Sequence, residues 1–215
     1  MTATFAIVKR LLASNKISFI ITALVVLCAT SSGDVVLSNG NYTWLLAAMT
    51  PFFFVFYDDT KLMHLGASKK DYYIGCLISY GILAFGISLV NTMIHLLIDP
   101  AYPAKAVINM MDVCKWTDNG IIVAGIQQMF FLLLVMIFLH VLLSMQPHWY
   151  GWLTDAVFIA IISIFTPIAP LRAVLGGFFQ IIMLNSHAIL HMGACLLLSV
   201  ALSFVGLLVL KKKTL

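Results

Sequence analysis

Two histidines, His187 and His191, lie four residues apart, and their types and spacing come closest in this chain to a site for chemistry. A spacing of four places both imidazoles on one face of a helix, where a transition metal could be held. No Asp or Glu shares that face, and Cys195 follows one turn later. We therefore expect interfacial polar contacts from this pair and predict no metal site.

Other enzymatic motifs are missing from the sequence. All eight acidic residues are Asp, which excludes the HExxH motif of zinc proteases and any chemistry that needs a Glu base. No GxSG motif is present, and the four cysteines stand far apart without a CxxC pair. The phosphate-binding motif GxxxxGKS/T is also absent, so the chain does not bind ATP in that way. An intramembrane enzyme such as a protease is an alternative for which the sequence supplies no catalytic residues.

Composition predicts a membrane protein. Apolar residues make up 62% of the 215 residues and charged residues 9%, whereas a soluble domain is about one quarter charged. A spanning helix needs roughly 20 mostly apolar residues, and hydropathy predicts an all-α fold with six spans in one transmembrane domain, residues 1–215. No Asp, Lys or Arg falls in the middle of a span, so ion-coupled transport is not expected. The predicted spans lie near 17–34, 42–57, 71–98, 121–144, 152–167 and 190–210.

Residues 3–16 are predicted to form an amphipathic helix before the first span. At about 100° per residue, Ile7 and Leu11 fall on one face, and Lys9 and Arg10 fall on the other. Such a helix lies in the membrane interface with its basic face toward lipid phosphates, so membrane lipid is an expected partner. The alternative is a cytosolic extension of the first span.

The distribution of Lys and Arg predicts the orientation of the chain. With the N-terminus inside, nine basic residues face the cytoplasm and three face the outside, as the positive-inside rule requires. We therefore expect a multi-pass protein of the plasma membrane with both termini cytoplasmic. The inner set is Lys9, Arg10, Lys16, Lys61, Lys69, Lys70, Lys211, Lys212 and Lys213, and the outer set is Lys105, Lys115 and Arg172.

Residues 168–189 are apolar enough for the membrane but are interrupted. Pro167, Pro170, the pair Gly176–Gly177 and Asn185 divide them into pieces too short to cross a bilayer. Irregular backbone at membrane depth is stable only when it is buried in protein or lines a cavity. We predict two short re-entrant helices that dip in from the outer face. The alternative is a loop that lies on the outer surface.

Charge is concentrated between the second and third spans. Residues 58–71 hold six of the twenty charges in the chain, and these six sum to zero. Asp59 or Thr60 is predicted to cap a short helix that ends at Gly66, where glycine is a natural stop. The capping box S-x-x-D, which begins at Ser68, then starts the third span. The segment 58–70 is thus a shaped cytoplasmic surface and not a simple connector.

The short helix in this segment presents Leu62, Met63 and Leu65 among charges of both signs. Apolar side chains on an exposed helix suit docking into a groove of a protein partner. Nucleic acid is excluded as a partner because it would require a net positive charge. The alternative is that Leu62 and Leu65 pack against the inner face of the protein itself.

The order of these elements resembles the membrane subunit of type-2 ABC exporters, and the likeness covers nearly the whole chain. The stretch LGASKKDYYIG, from Leu65 to Gly75, is similar to a leucine–glycine–x–serine–basic–x–aspartate–aromatic pattern in small Firmicutes permeases. These include the permeases of exporters for phenol-soluble modulins and antimicrobial peptides. The local pattern covers only some eleven residues.

The resemblance implies a permease of the bacterial plasma membrane that works as a homodimer with a separate cytosolic ATPase. ATP and Mg are expected on that ATPase, and no cofactor is expected on this chain. The resemblance also implies that residues 168–189 close the pathway on the outer side. The residues that it assigns to ATPase coupling are Asp59, Thr60, Lys61, Leu62, Met63, His64, Leu65 and Gly66.

A substrate path is predicted from aromatic and polar side chains of the apolar segments. Met and aromatic side chains form adaptable apolar walls that suit amphipathic substrates, although each could instead face lipid or the core. Polar residues inside spans could line the path or make interhelical hydrogen bonds. The candidates are Phe53, Phe56, Asn91, Phe178 and Phe179. The expected function is export of hydrophobic or amphipathic substrates, above all cytolytic or antimicrobial peptides, and a passive scaffold or immunity protein is a further alternative.

Overall fold

The structure is a computed structural model that describes residues 3–29, 34–101 and 106–212, without the side chains of Thr60 and Lys212. It is built almost entirely of helices, as the composition predicts. The helices are α1 (Ala3–Ser14), α2 (Lys16–Cys28), α3 (Trp44–Phe53), α4 (Asp59–His64), α5 (Lys69–Leu97), α6 (Met110–Val113), α7 (Ile121–Met145), α8 (Trp149–Phe165), α9 (Ala169–Ile182) and α10 (Ala188–Lys212). The strands are β1 (Val35–Leu37) and β2 (Ala106–Ile108).

Three helices in the described ranges are long and apolar enough to cross a membrane. They are the segments Lys69–Ala101, Ile121–Met145 and Ala188–Lys211, of 33, 25 and 24 residues. Helices α1 and α2 would make a fourth span if taken together, although they meet at an angle of 45°. Six spans are not shown, because α3 has 10 residues and α8 has 17. Residues 30–33 of the first predicted span lie outside the described residues.

Helices α5 and α7 form the centre of the bundle. The buried face of α5 repeats at helical spacing through Tyr72, Cys76, Tyr80 and Ala84, all at most 1% exposed. The hydroxyl of Tyr80 lies 2.7 Å from Nδ1 of His140 on α7, so the two helices share a buried polar contact. Polar groups in an apolar interior need such partners, and this one links α5 to α7.

Helix α3 continues into α4 through a π-helical turn at residues Phe54–Asp58. The backbone of this turn stays helical, and the Tyr72 hydroxyl donates a hydrogen bond of 2.7 Å to the Phe54 carbonyl. The chain from Trp44 to His64 is therefore one helical path with a local irregularity, and it leads directly to the charged segment.

The end of the bundle that carries α1, α4 and the first turns of α5 is called the charged end. The opposite end carries β1, β2 and α6 and is called the sheet end. There β1 and β2 pair in parallel, with Val35 opposite Ala106 and Leu37 opposite Ile108. This sheet departs from the all-α prediction. Each strand has only three residues, so no alternating pattern long enough to indicate a strand was present.

Residues 168–189 do not form the two short helices that were predicted. Helix α9 runs without a break from Ala169 to Ile182, through Gly176 and Gly177. Two glycines weaken a helix by roughly 1 kcal/mol each, which is not enough to end one flanked by good helix formers. Pro170 sits in the first turn, where its missing N–H leaves no hydrogen bond unmade.

Candidate functional site

Two helix boundaries at the charged end lie where the sequence predicts them. The first is the end of α4. Gly66 has a φ of 82°, the left-handed region that glycine adopts at little cost. The Ala67 amide donates to the Leu62 carbonyl and the Gly66 amide to the Met63 carbonyl, each at 3.0 Å. This pair of bonds is a Schellman motif, which satisfies the last carbonyls of the helix.

The second boundary is the start of α5, where the predicted cap is confirmed. The Ser68 hydroxyl oxygen accepts a hydrogen bond of 3.0 Å from the Asp71 amide, and it donates one of 2.6 Å to the Asp71 carboxylate. The turn between α4 and α5 is thus fixed by backbone and side-chain bonds on both sides.

The predicted cap at the start of α4 is wrong. Asp58 holds the position before α4, has a helical backbone and makes no capping hydrogen bond with its side chain. No cap is needed there because the preceding π-helical turn supplies the carbonyls that α4 amides would otherwise lack. Asp59 and Thr60 accordingly lie inside a continuing helix and do not begin a new one.

Both aspartates at this boundary are buried. Asp58 is 4% exposed and Asp59 is 5% exposed. The Ser14 hydroxyl on α1 donates a hydrogen bond of 2.6 Å to the Asp58 carboxylate. Burial raises the pKa of Asp58, and the Ser14 bond and the charges of Lys61 and Arg10 offset part of that rise. Asp58 therefore binds α1 and does not face a partner.

Burial of these acids leaves a basic exposed surface at the charged end. The interpretation of a balanced, neutral surface is wrong, because the sequence counts charges without showing which of them reach solvent. Lys61 and Lys70 are exposed in the segment itself. The other exposed basic side chains at this end are Lys9, Arg10, Lys16 and Lys211.

The apolar side chains of α4 are divided between two roles. Leu62 is 4% exposed and belongs to the main core, and Met63 packs partly against that core. Leu65, in contrast, is 64% exposed at the end of the helix, beside exposed His64. Packing on the protein itself thus accounts for Leu62, and Leu65 is the apolar side chain of this helix end that is most available to a partner.

Helix α1 uses its apolar face to pack on the protein. Ile7, Val8 and Leu11 are at most 7% exposed. A Cβ placed on Gly75 of α5 would lie 2.8 Å from the Ile7 side chain, so glycine permits the close approach of the two helices. The helix predicted over residues 3–16 is confirmed as far as Ser14, and its apolar side covers α5. Its place in the membrane interface stays a prediction.

The candidate path residues lie on separate elements. Asn91 is fully buried in α5, and its carbonyl oxygen accepts a hydrogen bond of 3.2 Å from Asn109. Phe53 stacks on Tyr57 at the charged end of α3, with ring centroids 5.5 Å apart. Asn91 therefore makes a structural hydrogen bond, which was the alternative to lining a substrate path. Of the other candidates, Phe56, Phe178 and Phe179 are 45%, 48% and 47% exposed.

The two histidines at metal-ligand spacing, His187 and His191, lie in different environments. His191 is fully buried, with its ring centroid 5.2 Å from that of Trp116 and its Nε2 atom 3.7 Å from Cys195 Sγ. His187 is exposed. In the part of the chain that the structure describes, no group of three His, Cys, Asp or Glu is arranged to hold a metal ion.

A polar cluster at the sheet end was missed by the sequence analysis. Nδ1 of His95 lies 2.9 Å from the Asp99 carboxylate, and its Nε2 lies 3.6 Å from that of Asp112. The Ser38 hydroxyl donates to Asp99 at 2.8 Å, and Asn109 donates to Ser38 at 3.2 Å. The four-residue spacing of His95 and Asp99 was the available signal. The cluster joins β1, the end of α5 and α6.

Comparisons with models of protein families, with curated proteins and with solved structures found no match to this chain.

Proposed function

We propose that this chain is the permease subunit of an ATP-driven exporter of the type-2 ABC class. The observation that carries the proposal is the continuous helical path from Trp44 to His64, which turns at Gly66 and enters the Ser68-capped α5. Because hydrogen bonds hold this segment at both ends, its displacement by a partner would move α3 and α5 with it. The support is architectural, and the resemblance of the sequence supplies the class.

The partner that suits this segment is a cytosolic ATPase, which would carry ATP and Mg. Leu65 offers an exposed apolar contact, and Lys61 and Lys70 add exposed positive charge in the same segment. We therefore expect an ATPase groove with an apolar floor and acidic edges. The charged end would face the cytoplasm of a bacterial cell, with both chain termini on that side, and two permease copies would enclose the pathway.

The cargo that fits best is a hydrophobic or amphipathic molecule, with cytolytic or antimicrobial peptides first. The described helices that could span a membrane are rich in apolar side chains, and aromatic side chains lie exposed on α9 and next to α3. Surfaces of this kind accept varied apolar shapes. They offer no binding chemistry for a highly charged substrate.

The proposal is tested by co-expression with candidate ATPases encoded by the source organism. Leu65→Asp should abolish co-purification of the ATPase, because a carboxylate replaces the apolar contact and an acidic groove repels it. Leu37→Asp is the matched control, since Leu37 is 47% exposed at the opposite end. Retention of the ATPase by Leu65→Asp would show that α4 is not the docking element. An ATPase complex that moves no peptide in reconstituted vesicles would favour a passive scaffold.

A further inference from the structure

A cleft of about 550 Å³ lies at the sheet end, between the turn after α6 and helix α9. Its size falls within the range of small-molecule sites, roughly 300–1,000 Å³, and is much larger than a lone inorganic ion needs. The residues that line it are Val113, Lys115, Ala173, Gly176, Gly177, Gln180 and Leu184.

Helix α9 turns its small and polar face toward this cleft. Gly176, Gly177 and Gln180 share that face at helical spacing, and the opposite face carries exposed Val174 and Phe178. A Cβ placed on either glycine would meet nothing within 4 Å. The two glycines therefore keep open a volume that a larger side chain would fill.

Lys115 supplies the positive charge of the cleft from an unusual backbone. Its φ of 59° is left-handed, a conformation that costs a side-chain-bearing residue free energy. The Lys115 amide donates to the Asp112 carbonyl and the Trp116 amide to the Met111 carbonyl, each at 2.9 Å. Glycine is the residue that normally occupies this position. A lysine held there points to a role for its side chain.

Beside Lys115 lie a carboxylate that already has partners and a hydrogen bond that connects the two cleft walls. The Asp112 carboxylate accepts a hydrogen bond of 2.8 Å from Thr117 and lies 3.6 Å from His95, so it is engaged on its own side. Trp116 is fully buried, and its indole donates a hydrogen bond of 2.9 Å to the Met183 carbonyl just after α9. The turn that carries Lys115 is thereby fixed to the helix across the cleft.

We propose that this cleft binds the headgroup of an anionic phospholipid. The phosphodiester meets the Lys115 ammonium and the Gln180 amide, and glycine backbone lets the headgroup approach α9 closely. The acyl chains leave past Val113 and Leu184, which are 49% and 45% exposed at the edge of the cleft. The site would place a lipid against the helix that precedes the last long apolar helix. This inference stands whether or not the chain is an exporter.

The test uses the full chain in a non-ionic detergent and native mass spectrometry with added phosphatidylglycerol or phosphatidylcholine of the same acyl chains. The wild-type protein should bind phosphatidylglycerol preferentially. Lys115→Gly should weaken that binding about fivefold, the loss expected for one lysine at an anionic surface, and should leave phosphatidylcholine binding unchanged. Glycine fits the left-handed backbone, so this variant keeps the fold.

A second variant and a matched control separate the cleft from general charge. Gly176→Leu should reduce phosphatidylglycerol binding by filling the cleft, and leucine is a better helix former than glycine. Arg172→Gln removes a cation on the same helix that does not line the cleft, and it should bind like the wild type. Equal binding of both lipids, or undiminished binding by Lys115→Gly and Gly176→Leu, would overturn the proposal. Competition by glycerol phosphate as effective as that of the lipid would show a site for free phosphate and overturn the lipid assignment.

Discussion

The charged end and the sheet end contain the same helix-ending motif with different residues at its centre. Helix α4 ends at Gly66 with a φ of 82°, and α6 ends at Lys115 with a φ of 59°. Both turns close with the same pair of backbone hydrogen bonds. Glycine adopts this conformation readily, whereas a residue with a side chain is disfavoured by roughly 1–2 kcal/mol. The charged end is therefore specified by its local sequence, and the sheet end holds a conformation that its local sequence disfavours.

Long-range contacts explain how the sheet end holds that conformation. Trp116 donates to the Met183 carbonyl, and Asn41 donates to the Ile108 carbonyl at 2.9 Å, each across 67 positions in sequence. The caps of the charged end, in contrast, join residues three to five positions apart. The two helix boundaries of the charged end close through neighbours in the chain, whereas the turn at the sheet end is also held by residues that are distant in sequence.

The largest effect is expected from Trp116→Ala. The indole is fully buried in a small core with Met111, Cys114 and Phe131, and its loss should destabilise the protein by roughly 3–5 kcal/mol. Thermal unfolding in detergent measures the change. Trp152→Ala is the control, because Trp152 is 71% exposed. Equal losses in the two variants would mean that the sheet end does not depend on its long-range core.

The next effect separates the two leucines of the charged end. Leu62→Ala removes a side chain from the main core and should lower the free energy of unfolding by roughly 2–4 kcal/mol. Leu65→Ala should change it by less than about 0.5 kcal/mol, because Leu65 is exposed. Urea or thermal unfolding of both variants under the same conditions measures the two changes in the free energy of unfolding. A smaller loss for Leu62 than for Leu65 would reverse the assignment of core and docking residue.

The same division between local and long-range contacts decides which features of the fold and the site could be predicted from the sequence. Gly66 and Ser68 gave local signals of helix end and helix start, and both boundaries lie where the sequence indicated. The amphipathic pattern around Leu11 correctly indicated a helix with one buried face. These features depend on interactions within a few residues, which a sequence displays directly.

The features that escaped prediction depend on distant partners. Lys115 carries no sign of a helix end, and the next residue, Trp116, finds its hydrogen-bond partner, Met183, 67 positions away in sequence. Burial of Asp58 and Asp59 depends on α1, which folds back from 44 positions earlier to place Ser14 beside the Asp58 carboxylate. The unbroken α9 shows the opposite case, in which the local signal of Gly176–Gly177 was outweighed by its flanks.

An exchange of residue types at the two helix ends tests the comparison between Gly66 and Lys115. Lys115→Gly should stabilise the protein by about 0.5–1 kcal/mol, since relief of the left-handed cost is partly offset by the backbone entropy of glycine. Gly66→Ala should destabilise it by a similar amount for the converse reason. Thermal unfolding of both variants gives the signs. A loss of stability in Lys115→Gly would mean that the lysine side chain itself holds the turn together.

The smallest effect concerns the pH dependence that buried Asp58 adds to the charged end. Burial raises the pKa of this carboxyl above its ordinary value of 3.8, so the folded chain retains a proton that the unfolded chain releases. The stability that results is fully present below that ordinary value and is lost as the pH rises through the folded-state pKa.

Asp58→Asn stays neutral, and its amide oxygen can accept the Ser14 hydrogen bond. The unfolding temperature of the variant relative to the wild type should therefore rise as the pH increases from below 3.8 through the higher pKa of the folded state. Asp118→Asn removes one exposed carboxylate at the sheet end and serves as the control for net charge. A relative unfolding temperature that falls with rising pH would mean that Arg10 and Lys61 stabilise ionised Asp58 by more than burial costs it.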